Sequence, residues 1–556
     1  EEVLRKKFVA FVFSFCMLFQ SSFSQSSWQK LGPGGGGATF LPTFSYHTAD
    51  CFFIRCDMTG SYLTNYGGES YQQINFDNGA SGYAFDPYHP EILYAGSAVL
   101  HRSADGGKTW QQVFPKLSDV LKESYYGDHA EYQIETNGNS LYNSLSPQIK
   151  NIHVDPVNQN AIYFSMGNYF YYSLNNCASF DRIEITAQIE SIYVNNISPV
   201  HEIFIFTAGS LHIFNVSSKY IREVSFPKTM SPAFSFCGGI TKNKNTVFYA
   251  LHYDTSSLSA GQYRRTDIFT STDGFHWNKA IHPLITNSNN SKPNFIRISC
   301  AEFDAEHAYA ITDMYEEKNK EREIKYYYGA IKTNDAGKEW HWVFKAGGGS
   351  GQYGVKDAFD AKNIEDAWAS AAFGDEFIET EDIGVYPNNG NVAVLTDWYR
   401  TMKTTDGGKS WKEVYSARQS DKTYSTRGLD VTNAYGIHFD PFDSNHIAIS
   451  YTDIGFQHSY NKGKSWKRSV SGVPLSWQNT CYWIVFDKAI KNKLWSAWSG
   501  MHDIPRGKMT RNPVWKNNYK GGICVSEDGG NTWKPSNTGM GDDALITSIA
   551  IDEKTQ

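Results

Sequence analysis

Six places in this chain put an acidic side chain at the end of a strand-like run. They are Asp57 in Ile54-Arg55-Cys56-Asp57, Asp254 beside His252 and Tyr253, and Asp313 in Ile311-Thr312-Asp313. The others are Asp397 in Leu395-Thr396-Asp397-Trp398-Tyr399-Arg400, Asp453 in Tyr451-Thr452-Asp453-Ile454-Gly455, and the pair His502-Asp503 with Arg506. Aspartate is depleted in strands, so its recurrence at one local position exceeds what strand composition gives. Two such carboxyls, one protonated and one ionised, are what cleavage of a glycosidic bond needs: one donates to the leaving oxygen, the other activates water or attacks. A repeat constraint, each Asp capping a turn, is the bland alternative. Trp398, Tyr399, Trp495 and Trp498 are aromatic platforms on which sugar rings can stack, or core residues.

A second chemistry draws on other residues. Tyr399-Arg400, His458, His502-Asp503-Arg506, Arg511 and Tyr253 with Arg264-Arg265 suit β-elimination at a uronic acid. There a cation neutralises the carboxylate and a Tyr or His moves the adjacent proton. Ser499 to Gly521 is the most basic loop of the chain, either a site or a solvated insertion. A third reading is a secreted binding protein without paired acids.

What positions these residues is a repeated phrase. Ser103-Ala104-Asp105-Gly106-Gly107-Lys108-Thr109-Trp110 returns at 271–277, 333–340, 404–411 and 526–533, with worn copies at 64–71, 173–180 and 459–466. A period of a few tens of residues means one supersecondary unit is stacked. Asp-Gly or Gly-Gly between apolar runs is a hairpin signal, the Asp closing the turn and the Trp starting the next strand. These aspartates therefore read as structural. Units fall near 37–76, 82–115, 149–184, 189–226, 234–280, 297–345, 381–416, 436–469 and 480–536, with a tenth starting at 545. The expected fold is an all-β propeller. Nine units exceed one ordinary propeller, so two in tandem are expected, divided at the Gly-rich joint 346–351: 28–346, then an incomplete 347–556. One large propeller is the alternative. The chain opens on Glu1 and closes on an unfinished unit, which reads as a fragment.

The phrase resembles the Asp-box, or BNR repeat, of sialidases, family 74 xyloglucanases and sortilin-type receptors. Gly34-Gly35-Gly36-Gly37 followed by Arg55-Cys56-Asp57-Met58-Thr59-Gly60-Ser61-Tyr62 looks like the start of the family 74 enzymes, where an Arg-Thr-Asp-Val-Gly-Gly-x-Tyr motif carries one catalytic Asp. Their second catalytic Asp follows a Glu-Thr pair; here Glu379-Thr380 precedes Thr396-Asp397. The resemblance implies a glycoside hydrolase using Asp57 and Asp397. Trp398, Tyr399, Arg400, His458, His502, Asp503 and Arg506 are the residues expected to bind substrate. Thr59-Gly60 and Trp398-Tyr399-Arg400 depart from that family's pattern. Propeller lyases that cut rhamnosyl-glucuronate or ulvan linkages are the alternative resemblance. No early Arg-Ile-Pro motif points to a sialidase.

Composition bounds the rest. A net charge of −7 over 556 residues gives no reason to expect nucleic acid. Arg5-Lys6-Lys7, the apolar run 8–19 and Ser22-Phe23-Ser24 read as an export signal over 1–25, too short to span a membrane. Seven widely spread cysteines remain, an odd number that is no disulfide framework. No metal site or cofactor is expected, and the partner is a polysaccharide met by a secreted or cell-surface monomer.

Overall fold

The structure, a computed structural model, describes residues 29–58, 60–76, 79–126, 131–138, 140–195, 201–230, 232–254, 266–280, 294–318, 324–347, 353–354, 363–365, 368–373, 379–504, 520–540 and 544–552. The expected export signal, Arg264, Arg265, Arg506 and Arg511 lie outside them. Residues 29–31, the described part of the N-terminal unit, carry no regular structure, and everything below concerns Gly32 onward. Among the described residues no helix is long and apolar enough to cross a membrane.

All nine expected units are antiparallel sheets in which each strand pairs with the next in sequence. Eight have four strands; the sixth, Phe295 to Gly354, has five. Residues 544–552, expected to start a tenth unit, carry no strand. The first strands of successive sheets pack against one another: Thr39–Phe44, Gly82–Phe85, Ile149–Val154, Ile189–Asn195, Ala233–Ile240, Phe295–Cys300 and Asp382–Val385. The last of these packs against both Phe295–Cys300 and Thr39–Phe44, so seven sheets close a circuit from Thr39 to Glu413. The boundary expected at 346/347 falls inside it, because the first strand of the seventh sheet packs against that of the first. Leu41 N–H donates to Asp382 Oδ2 (3.0 Å) and the Thr39 and Thr401 hydroxyls meet at 2.8 Å across that seam. The eighth and ninth sheets, Ala434 to Arg468 and Thr480 to Pro535, pack on each other.

This topology brings the first strands of the seven sheets together at the centre of the circuit. In such a sheet the second-to-third connection opens at one end, and the first-to-second and third-to-fourth connections at the other. The repeated phrase is always the third-to-fourth connection. Its chemistry is local. Asp335 Oδ1 accepts from Thr333 Oγ1 (2.8 Å) and from the N–H of Lys338 and Glu339 (both 3.0 Å), which holds its carboxyl below the usual range. Gly106 and Gly107, at φ 70° and 87°, show why glycine follows the Asp. Two of the phrase's tryptophans reach across the seams: Trp411 and Trp533, 1% and 3% exposed, donate Nε1–H to Val343 O and Ser469 O of the preceding unit, each at 2.9 Å.

Asp335→Ala should therefore lower the unfolding free energy by about 1–2 kcal/mol in chemical denaturation without changing turnover. Because the folded pKa is depressed, this contribution is complete above the ordinary carboxylate range and lost as pH falls through the depressed value.

Candidate functional site

The six recurring acidic positions lie on or within a few residues after second strands, in the second-to-third half of each sheet and away from the repeated phrases. Their surroundings then separate them.

Asp397 is spent on its own turn. It is fully buried; Oδ1 accepts from the N–H of Tyr399 (2.8 Å) and Arg400 (2.7 Å), and Oδ2 from Arg400 Nε (2.9 Å). Burial pushes its carboxyl up, opposed by Arg400 and those N–H groups. Arg400, 1% exposed, is the partner of this ion pair. Tyr399 is buried against Phe373, with ring centroids 4.7 Å apart. Glu413, whose carboxyl burial raises to about 7, accepts from Ser370 Oγ (2.6 Å) and from Tyr415 Oη beneath this turn. The structure thus places Asp397, Tyr399 and Arg400 in a buried network rather than on an open surface. Trp398 alone of that turn is open, at 41% exposure.

His458 is likewise interior. His446 Nδ1 meets Asp440 Oδ2 (2.9 Å), His446 Nε2 meets His458 Nδ1 (3.3 Å), and His458 Nε2 meets Ser469 Oγ (2.9 Å). Desolvation first, then His446, drives the His458 pKa down to about 3. His458, 1% exposed, is thus a link in a core chain rather than part of an open surface. Trp498 is fully buried as well.

Asp57 and Asp453 are placed differently. Asp57 follows the strand Phe52–Cys56, is half-buried, and anchors its N–H to Ala38 O (3.2 Å). Asp453 follows Ile447–Tyr451 at φ 57°, with Ile454 N–H bonded back to Thr452 O (2.5 Å). A non-glycine residue held at positive φ is strain that surrounding structure must maintain, and such residues cluster at functional sites. Asn479 Nδ2 donates to Asp453 Oδ1 at 3.3 Å. Desolvation raises the Asp453 pKa, while His502 opposes the shift.

The Gly-rich opening joins the two turns. Gly34, Gly35 and Gly36 have φ of 80°, 72° and 89°, and Gly35 bridges to Asp430 in parallel. A Cβ on Gly37 would lie 3.7 Å from Asp57 Oδ1 and 2.5 Å from Val431 Cγ1; one on Gly36 would lie 3.1 Å from Ile454 Cγ2. Both acid turns thus meet one two-residue stretch that has no room for side chains. Tyr62 Oη donates to Asp430 O (2.5 Å), tying the Asp57 hairpin to the same segment. Gly37→Ala should overpack the contact with Val431, cost about 1–3 kcal/mol in denaturation, and lower turnover in parallel if the acids work as a pair.

Around Asp453 the ninth sheet adds polar and aromatic groups. His502 Nδ1 meets Asp503 Oδ2 at 2.6 Å, Asp503 N–H donates to Tyr435 Oη (3.3 Å), and Tyr435 stacks on Tyr482 with centroids 4.9 Å apart. Of the expected set, then, His502 and Asp503 lie beside Asp453, and Asp57 meets the same Gly36–Gly37 stretch as the Asp453 turn; Tyr435, Tyr482 and Asn479 carried no signal. Among the described residues no group of His, Cys, Asp and Glu is arranged to hold a metal ion.

No family model matches the chain, and no curated protein matches it. Solved structures do. An ancestral GH74 enzyme superposes over 91% of this chain and 63% of its own, with 15% identity and a TM-score of 0.59. The GH74 xyloglucanase from Xanthomonas campestris does so over 91% and 68%, with 14% identity and a TM-score of 0.57. The chain spans just under two thirds of the first and just over two thirds of the second. At these identities the likeness establishes the β-propeller fold, with the substrate left to the site itself.

Proposed function

We propose that this protein hydrolyses glycosidic bonds of a polysaccharide, Asp453 donating the proton to the leaving oxygen and Asp57, ionised, acting on water. One observation carries the reading: acid turns from two separate sets of sheets meet at Gly36–Gly37, and one of the two carboxyls is desolvated and raised. A raised carboxyl stays protonated where an ordinary one has lost its proton, which is what a general acid requires. Tyr435, His502 and the exposed Trp398 supply flat and polar surfaces for sugar rings. The fold shared with GH74 enzymes agrees with this chemistry by analogy only. An export signal at 1–25 would deliver the enzyme to an extracellular polymer.

The pH profile tests the assignment. Asp453 must be protonated and Asp57 ionised, so kcat should follow a bell-shaped profile, rising from acid pH as Asp57 ionises and falling as pH rises through the raised pKa of Asp453. In Asp453→Asn that alkaline limb should vanish along with most of the turnover. A profile whose alkaline limb survives in the variant contradicts the role given to Asp453.

A further inference from the structure

At the opposite end of the seven-sheet circuit lies a cavity of ≈ 540 Å³ between the sixth and seventh sheets, lined among others by Lys332, Lys409, His341, Trp342, Asn334 and Asn391. Lys332 is the unusual member. It is 2% exposed, yet the structure pairs no carboxylate with its ammonium among the described residues; Nζ donates to Asn391 Oδ1 (2.8 Å) and sits 5.3 Å from the Tyr309 ring centre. An ammonium has three N–H donors, and a buried charge without a counterion is costly.

The two nearby acids are committed elsewhere. Asp304 accepts from Gly390 N–H (3.0 Å) and faces Lys242 (3.3 Å) and His307 (3.1 Å). Asp406 closes its own repeated phrase through Thr404 and Ser410. Desolvation, opposed by Asp304 and Asp406 and aided by Lys409, lowers the Lys332 pKa to about 8. His341 pairs with Lys332 across adjacent strands, and Lys409 stands exposed at the mouth.

We infer that this cavity is an accessory site for an anionic sugar residue, its carboxylate or sulfate taken by Lys332 and Lys409 and its ring by Trp342 and the two asparagines. The volume lies within the range of small-ligand pockets, and a cation, an indole and two amides are the groups an acidic sugar engages. The site is remote from Asp57 and Asp453 by topology and does not depend on their role.

Calorimetric titration with glucuronic acid, glucose 6-sulfate, glucose and inorganic sulfate tests this, with acylation of Lys332 read by mass spectrometry. One of the two charged sugars should bind roughly tenfold or more tighter than glucose and protect Lys332 from acylation; which one does identifies the anion as uronate or sulfate ester. Lys332→Met and the surface variant Lys409→Ala should each weaken that binding several-fold, while Asp453→Asn should not. Should Lys332→Met fail to fold, Lys409→Ala and the protection of Lys332 in the unaltered protein still decide. Equal binding of glucose, binding of inorganic sulfate alone, or undiminished acylation overturns the inference.

Discussion

Asp453→Asn is expected to lower kcat by about 10²–10⁴-fold, the usual contribution of a positioned proton donor, with the denaturation midpoint nearly unchanged. Asparagine keeps the shape of the side chain and its contact with Asn479, but it cannot donate a proton to a leaving oxygen. Asp57→Asn should fall by a similar factor, since an amide cannot take the proton of an attacking water. The double variant should be little worse than either single one, because groups that act as a unit are not additive. KM should move less than kcat in both, as the aromatic surfaces of Tyr435 and Trp398 are left in place. Loss of turnover only in step with loss of folded protein would instead mark these residues as structural.

Asp397→Ala should show the reverse pattern. It leaves the Arg400 guanidinium, 1% exposed, without the carboxylate it meets at 2.9 Å. Breaking a buried pair from one side costs about 3–5 kcal/mol, a large part of the stability of an ordinary domain. The same substitution removes the acceptor for two backbone N–H groups of the turn. Asp397→Asn with Arg400→Met should recover much of the loss, because the stranded charge is then gone. The folded fraction of Asp397→Asn should turn over substrate at nearly the normal rate. Denaturant unfolding of the two single variants and the double variant measures the coupling directly.

The contrast between Asp397 and Asp453 shows what the chain's sequence can disclose. The repeated phrase made the sheets legible, unit by unit, because hairpin chemistry is local: Asp, Gly and Trp at fixed offsets act within eight residues. Even the sheet at Ile189–Ser225, which lacks the phrase, was readable from strand periodicity. The recurring acids were readable as a set for the same reason, since each sits on or shortly after a second strand. Choosing among them was not, because that depends on whether a carboxylate is consumed by its own turn. An Arg three residues after Asp397 was the available signal, and it closes an ion pair that removes Asp397 from the surface. The place where the circuit closes was also hidden, because it depends on which first strand reaches Thr39–Phe44. Gly34 to Gly37 was visible as a motif, but its physical role, close approach between Val431 and Ile454, is a long-range contact.

The most direct test of the central claim follows new reducing ends and the ultraviolet absorbance of unsaturated uronates together, over a panel of neutral and acidic polysaccharides. The unaltered protein, Asp57→Asn, Asp453→Asn and Asp397→Asn are compared on the polymer that is cut. Hydrolysis by the Asp57–Asp453 pair predicts reducing ends without absorbance, abolished in the first two variants and retained in the folded part of the third. Absorbance rising with the reducing ends, or full turnover by Asp453→Asn, would contradict it.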